Sequence, residues 1–193
     1  VSEAIYLKDP DGLGIEVYAD RPRGEWRYEG RQIAMTTMPL DLPDLVRAGG
    51  GETWNGMPNG TVIGHVHLHV GDLRTAEAFY HDALGLDKVV WGYPGALFLA
   101  AGGYHHHLGT NTWLAGAAPA LDDEARLLEW EMLLPDAREV SHVANSLEQA
   151  LLEKLGGDSM DEIRPRYAAL RQPRLGDLKM DGTELVFWPE ESR

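Results

Sequence analysis

The sequence predicts an α+β fold in which one unit, a strand followed by a helix and three further strands, occurs twice. Alternating polarity at residues 62–70 indicates a strand, a helical stripe follows it, and the same order of patterns returns in the second half. Two pairs of segments also align in polarity, residues 64–72 with 128–136 and residues 11–18 with 181–188. Such internal similarity is typical of a duplicated unit, so we expect paired βαβββ modules.

The first module begins with the strand at residues 62–70 and continues into a helix that Asp72 caps. Aspartate is a preferred N-cap residue, and apolar side chains recur at helical spacing as far as Leu84, before Gly85 ends the helix. Glycines then separate three predicted strands, at residues 89–91, 96–101 and 104–111.

The second module repeats this order with a strand at residues 127–134. Pro135 and Asp136 open a helix whose apolar stripe extends to Leu151. Late strands are predicted around the turn at Asp181, at residues 177–179 and 184–188.

The N-terminal region differs in character from these modules. Residues 4–7 and 14–18 read as two strands joined by a turn, and two strands alone cannot bury a face. We therefore interpret residues 1–20 as the C-terminal strands of a truncated first domain, residues 21–60 as a linker with one short helix, and residues 61–188 as a complete paired-module domain. Unpaired strands of this kind favour a homo-oligomer or strand exchange with another chain.

Composition narrows the classes of partner. The formal net charge of −14 argues against nucleic acid, whose phosphates require a basic surface. No apolar run approaches the ~18 residues of a membrane span, so no membrane partner is expected. The chain has no cysteine, which fits a cytoplasmic location.

Two histidine clusters are the candidate chemical groups. Three histidines stand at every second position, at residues 65, 67 and 69, so a strand would place them on one face. Glu129 and Glu131 occupy the positions of the second module that are equivalent to His65 and His67. These side chains could bind a metal, or they could form ion pairs across a wet cavity, since a histidine readily gains a carboxylate partner.

Several motifs resemble the vicinal-oxygen-chelate superfamily, which includes glyoxalase I, bleomycin resistance proteins and type I extradiol dioxygenases. They are the Asp-Pro-Asp-Gly turn, Gly-His-Val-His-Leu at residues 64–68 and Gly-Gly-Tyr-His-His-His at residues 102–107, followed by Asn-Thr-Trp. The likeness is greatest to two-domain catechol-2,3-dioxygenase-like proteins. It implies that the paired βαβββ modules form an eight-stranded open cup.

The resemblance also implies a set of metal ligands. His65 falls on the first-strand ligand position, and Glu129 is its equivalent in the second module, where extradiol enzymes carry histidine. Val186 occupies the final carboxylate position, which Glu16 fills in the N-terminal strands. The implied ligands are thus His65, Glu129 and Glu16. With a histidine from residues 105–107, His65 and Glu129 would make the two histidines and one carboxylate that suit Fe(II), with manganese, zinc or nickel as alternatives.

The second histidine cluster carries the implied acid–base group. The resemblance favours His106, with His105 and His107 as the alternatives. A histidine suits this role because its pKa is ordinarily near neutrality. If residues 104–111 form a strand, His105 and His107 share one face and His106 lies on the other, and the sequence leaves open which face lines the cup.

The implied function is extradiol cleavage of a catechol-type aromatic, with dioxygen as cosubstrate. Two alternatives share the fold: a glyoxalase-like metal-dependent lyase or isomerase, and a metal-free small-molecule binding protein of the bleomycin-resistance kind. Fold alone does not choose between them.

Overall fold

A computed structural model of the chain describes residues 1–118, 120–121, 123–156, 159, 180–181 and 184–187. The helices are α1 (Leu42–Ala48), α2 (Leu73–Glu77) and α3 (Ala137–Leu155). The strands are β1 (Ser2–Lys8), β2 (Gly14–Asp20), β3 (Tyr28–Glu29), β4 (Gln32–Ile33), β5 (Val66–His69), β6 (Asp87–Val90), β7 (Ala96–Ala100), β8 (Leu108–Asn111), β9 (Trp130–Leu133), β10 (Met180–Asp181) and β11 (Glu184–Phe187).

The first predicted module forms a four-stranded sheet. Its strand order is β5-β8-β7-β6, with β5 parallel to β8 and the other neighbours antiparallel. Parallel neighbours require a long crossover connection, and the segment containing α2 begins that connection. The predicted order of one strand, one helix and three strands is therefore confirmed for this module.

The helix of this module is less regular than the sequence predicts. The Asp72 carboxylate accepts a hydrogen bond from the backbone N–H of Thr75 at 2.8 Å, so the cap is as expected. After α2, residues Ala78–Ala83 form a π-helical segment, which Gly85 terminates with a φ of +90°. The wider π turn presents both Ala83 and Leu84 to the core, where each is buried.

The second module is described in part. Strands β9, β11 and β10 form an antiparallel sheet in the order β10-β11-β9, and the backbone of Val186 pairs with Glu131. Helix α3 buries an apolar stripe formed by Val140, Ala144 and Leu147, as the helical spacing predicts. The strand predicted at residues 177–179 lies outside the described residues.

One apolar core joins the two modules. Leu97, Leu99 and Leu108 of the four-stranded sheet pack with Leu84 and with side chains of α3. Leu99 has no exposed surface. Burial of apolar surface on this scale is the main source of folding free energy, so the two modules stabilise each other.

Residues 21–60 are more structured than the predicted linker. Trp26 and Ile33 are buried against Val90 and Phe98 of the first module. The Trp26 indole N–H donates to the carbonyl of Arg21 at 3.0 Å. Part of the predicted linker is therefore packed, because apolar side chains hold it against the sheet. Helix α1 lies where the short helix was predicted.

The described residues contain no helix that is both long and apolar enough to cross a membrane.

Candidate functional site

One face of β2 supplies three side chains to the candidate site. Strands β1 and β2 pair antiparallel over their full length, from Ser2 opposite Asp20 to Lys8 opposite Gly14. Because alternate residues of a strand share a face, Glu16, Tyr18 and Asp20 point to the same side. Each of the three contacts a histidine of the first module.

Glu16 and His65 form the central contact. Oε2 of Glu16 lies 3.0 Å from Nε2 of His65, and both side chains are largely buried. The Tyr6 hydroxyl donates to the other carboxylate oxygen of Glu16, also at 3.0 Å. Burial alone would raise the pKa of Glu16, but the hydrogen bonds from His65 and Tyr6 outweigh it and hold the pKa below its usual value. Glu16 is therefore ionised at neutral pH.

Aromatic rings hold the imidazole of His65 from two sides. The Tyr18 ring stacks on it with centroids 5.0 Å apart, and the His106 ring lies 4.2 Å away. The hydroxyls of Tyr18 and Tyr104 are 2.9 Å apart and share a hydrogen bond. Nδ1 of His65 is buried and has no hydrogen-bond partner among the described residues, so ring packing rather than a second hydrogen bond fixes its orientation.

A second chain of contacts runs from β2 to His106. Oδ1 of Asp20 lies 2.7 Å from Nε2 of His105, and Nδ1 of His105 lies 2.8 Å from Nδ1 of His106. Burial lowers the pKa of both imidazoles, although Asp20 partly opposes this for His105. The pKa of His106 falls to about 2, so this ring is neutral in ordinary buffers.

The prediction that His105, His106 and His107 alternate along a strand is wrong. Strand β8 begins at Leu108, and the three histidines precede it in a connection that opens with Gly102 and Gly103, both at positive φ. His105 and His106 are both buried, whereas His107 is exposed. Nδ1 of His107 accepts a hydrogen bond from the backbone N–H of Ala101 at 3.2 Å, so the His107 side chain stabilises the turn between β7 and β8.

Glu129 does not take the place that the resemblance implied. It is exposed, it precedes β9, and it makes no hydrogen bond or ion pair within the described part of the chain. The carboxylate that meets His65 is Glu16, because the β1–β2 hairpin packs over the first module. The resemblance places Val186 at the final ligand position, and the side chain of Val186 lies outside the part of the chain that the structure describes.

A wide cavity opens beside the Glu16–His65 pair. Its wall near the pair includes Tyr18, His67, Asn111 and Trp113. The Asn111 side-chain amide donates to Nε2 of His67 at 2.8 Å. The ring of His67 lies 5.8 Å from that of Trp113. Flat rings with few polar groups between them suit a planar apolar ligand.

Glu16 and His65 fit part of a metal site. Neighbouring ligands of an octahedral ion with bonds of about 2.1 Å are separated by about 3 Å, and the observed contact has this length as well as that of a hydrogen bond. Among the described residues, no group of three histidines or carboxylates converges to hold an ion. The pair therefore offers two donors of the right kind and leaves further positions to other groups.

Sequence reasoning missed several residues of the site. Tyr18, Asp20 and Tyr104 were not singled out, although Tyr18 and Asp20 share the alternation of Glu16 along β2. That alternation was the available signal. Tyr104 directly precedes the histidine cluster and had no separate signal.

Gly64 allows Tyr18 to approach His65, which makes a substitution there informative. A Cβ at this position would lie 1.6 Å from the Tyr18 hydroxyl oxygen. We expect Gly64→Ala to displace the tyrosine ring and to lower the free energy of unfolding by about 1–3 kcal/mol. Denaturant unfolding measures this change. Gly71→Ala is the matched control, since nothing lies within 4 Å of its Cβ. Equal stability of the two variants would contradict the packing described.

Taken together, the fold and the site define a βαβββ protein with a carboxylate–imidazole pair at the edge of an aromatic cavity. The sequence model of the Glyoxalase/Bleomycin resistance protein/Dioxygenase superfamily matches residues 62–164, just over half of the chain. The chain belongs to this superfamily, as its motifs predicted. Members of the superfamily typically bind a divalent metal ion.

The chain is also similar in sequence to a named bacterial protein. The chain is 49% identical over 155 residues to a protein named catechol-2,3-dioxygenase from Bacillus subtilis (strain 168). The alignment covers 78% of this chain and 54% of that protein, so the chain spans about half of the relative's length. No solved structure gave a significant match.

Proposed function

We propose that this chain is part of an extradiol ring-cleaving dioxygenase that acts on a catechol-type aromatic with a non-haem divalent metal, Fe(II) being preferred. The observation that carries the proposal is the contact between Glu16 and His65, two metal-ligand residue types from separate segments, beside an aromatic cavity. The similarity to a protein named catechol-2,3-dioxygenase supports the reaction class.

The proposal includes an arrangement of domains. Residues 61–188 make a paired-module domain whose eight strands curl into an open cup, and residues 1–20 are the last strands of another domain. The core shared by the two modules supports the pairing. The packing of β2 over His65 and His105 supports an intimate contact between the two domains. We also propose a cytoplasmic location, which the absence of cysteine favours.

In this proposal Glu16 and His65 would hold the metal, which supplies a Lewis-acidic, redox-active centre where catechol and dioxygen can meet. Tyr6 donates to Glu16 and orients its carboxylate. His106 is neutral, so an unprotonated imidazole nitrogen can accept a hydrogen bond from a substrate hydroxyl, whereas its low pKa disfavours full transfer of the proton to the ring. Tyr18, His67 and Trp113 would stack on an aromatic ring and exclude water from it.

One observation favours a second candidate, metal-free binding of a small aromatic molecule. The described residues supply two converging donors and no third. A cavity of this kind could use the Glu16–His65 pair to hydrogen-bond a ligand hydroxyl. A glyoxalase-like lyase or isomerase remains the other metal-dependent reaction of this fold, and its metal would be zinc or nickel.

Anaerobic reconstitution with Fe(II), followed by addition of catechol and oxygen, tests the proposal. Ring cleavage predicts a yellow product formed with equimolar oxygen uptake. If catechol binds without oxygen uptake, with equal affinity in the presence and absence of a chelator, the binding-protein candidate is correct instead. Preferential retention of zinc or nickel on purification would favour the lyase or isomerase.

A further inference from the structure

Asp20 lies beyond the proposed ligands, yet it begins a hydrogen-bonded chain that ends at His106. We propose that Asp20 is a positioning residue: acting through His105, it fixes His106 in the tautomer that carries its proton on Nδ1, so that Nε2 keeps a free lone pair. The inference rests on the proposed function only for the use made of that lone pair, which would accept a hydrogen bond from a substrate hydroxyl or bind a ligand.

The first link fixes the proton of His105. Oδ1 of Asp20 is 2.7 Å from Nε2 of His105. An ionised carboxylate can only accept a hydrogen bond, so Nε2 of His105 must carry a proton and donate it.

The hydrogen bond between His105 and His106 determines where His106 carries its proton. The Nδ1 atoms of His105 and His106 are 2.8 Å apart, so one of them carries the shared proton and the other accepts it. If His105 donated here as well, it would be an imidazolium ion in a site where its side chain is only 1% exposed. Burial disfavours the charged ring. His105 is therefore neutral, Nδ1 of His106 is the donor, and Nε2 of His106 has no proton.

The surroundings hold this chain in place. The Trp26 ring lies 5.4 Å from that of His105, and the Tyr104 ring lies 4.1 Å from it. The ring of His106 also packs against that of His65, the proposed ligand, with centroids 4.2 Å apart. A histidine that was free to exchange tautomers would offer its lone pair at this place only part of the time. Asp20, through its hydrogen bond to His105, restricts His106 to a single tautomer.

Nitrogen-15 NMR of the ring nitrogens tests the proposal directly. The 193-residue chain, labelled in histidine, is observed with a chelator present, because iron would broaden the signals. His106→Gln assigns the His106 signals by their loss. We expect wild-type His106 to show a proton on Nδ1 and none on Nε2. In Asp20→Ala we expect loss of this pattern, with the proton moving wholly or partly to Nε2 of His106.

Two further variants separate hydrogen bonding from general structural damage. Asp20→Asn keeps an acceptor oxygen in the same place and should retain the wild-type tautomer. Asp87→Ala removes an exposed carboxylate of β6 whose side chain makes no hydrogen bond within the described residues, and it should leave the His106 signals unchanged. An Nε2–H tautomer in the wild type would overturn the proposal, as would Asp20→Ala spectra identical to wild type.

The readout also separates this proposal from the proposed function. The tautomer is measured without metal, substrate or turnover. If the wild-type chain shows the expected tautomer but cleaves no catechol after iron reconstitution, the positioning role of Asp20 stands and the dioxygenase proposal fails. If catechol is cleaved while His106 carries its proton on Nε2, the reverse holds.

Discussion

Replacing His65 with alanine is expected to abolish binding of the divalent metal that the proposed function requires and, with it, the proposed ring cleavage. The imidazole is one of two converging donors, and a single carboxylate such as Glu16 holds a transition metal weakly in water. Loss of groups that only orient a ligand typically reduces affinity about 10–100-fold, so we expect loss of the ligand itself to exceed about 100-fold. Titration with Fe(II) under anaerobic conditions measures the change.

Matched variants make this result specific. His142→Ala alters an exposed histidine of α3 and should bind iron as the wild type does. Glu16→Ala should match His65→Ala, whereas Glu129→Ala should have little effect, because Glu129 is exposed and has no contact with the pair. If iron affinity fell in Glu129→Ala and not in Glu16→Ala, the ligand assignment made here would be wrong.

Leu99→Ala is expected to lower the free energy of unfolding by about 2–5 kcal/mol, the range for deleting a fully buried leucine side chain from a rigid core. Leu99 has no exposed surface and lies in the core that joins the two modules. Few neighbours can move to fill the space, because the sheet and α3 are fixed by their own hydrogen bonds. Urea unfolding, followed by circular dichroism, measures the loss.

Leu133→Ala provides the comparison for this prediction. Leu133 belongs to β9 but is 73% exposed, so its removal should change the stability by no more than about 0.5 kcal/mol. A similar loss in both variants would show that the core does not join the modules in the manner described.

The helix of the first module and the face that it buries could be predicted from the sequence. Asp72 and the stripe to Leu84 marked a helix start and a buried face, and both are present. These features follow from local geometry, in which spacing and capping determine the backbone. The π-helical segment could not be predicted, because its extra residue per turn is selected by packing of Ala83 and Leu84 against the sheet.

The candidate site was predictable only in part. His65 and Glu16 were each singled out, but their contact joins residues 49 positions apart and depends on how the hairpin packs on the module. Sequence reasoning instead paired His65 with Glu129 by the symmetry of the modules. The glycines that separate the segments predict a strand at residues 104–111, and alternation of the histidines at 105–107 follows from that prediction. The hydrogen bond from His107 N–H to the carbonyl of Leu99 closes the β7–β8 hairpin, so His105 and His106 lie in the connection that precedes it.

The central claim is that the β1–β2 hairpin and the first module together form the metal site. Diffraction from crystals of the iron-reconstituted protein, collected at the iron absorption edge, tests it most directly. We predict an anomalous peak within coordination distance of both Glu16 and His65. A peak that contacts Glu129, or one that contacts His65 without Glu16, would contradict the account.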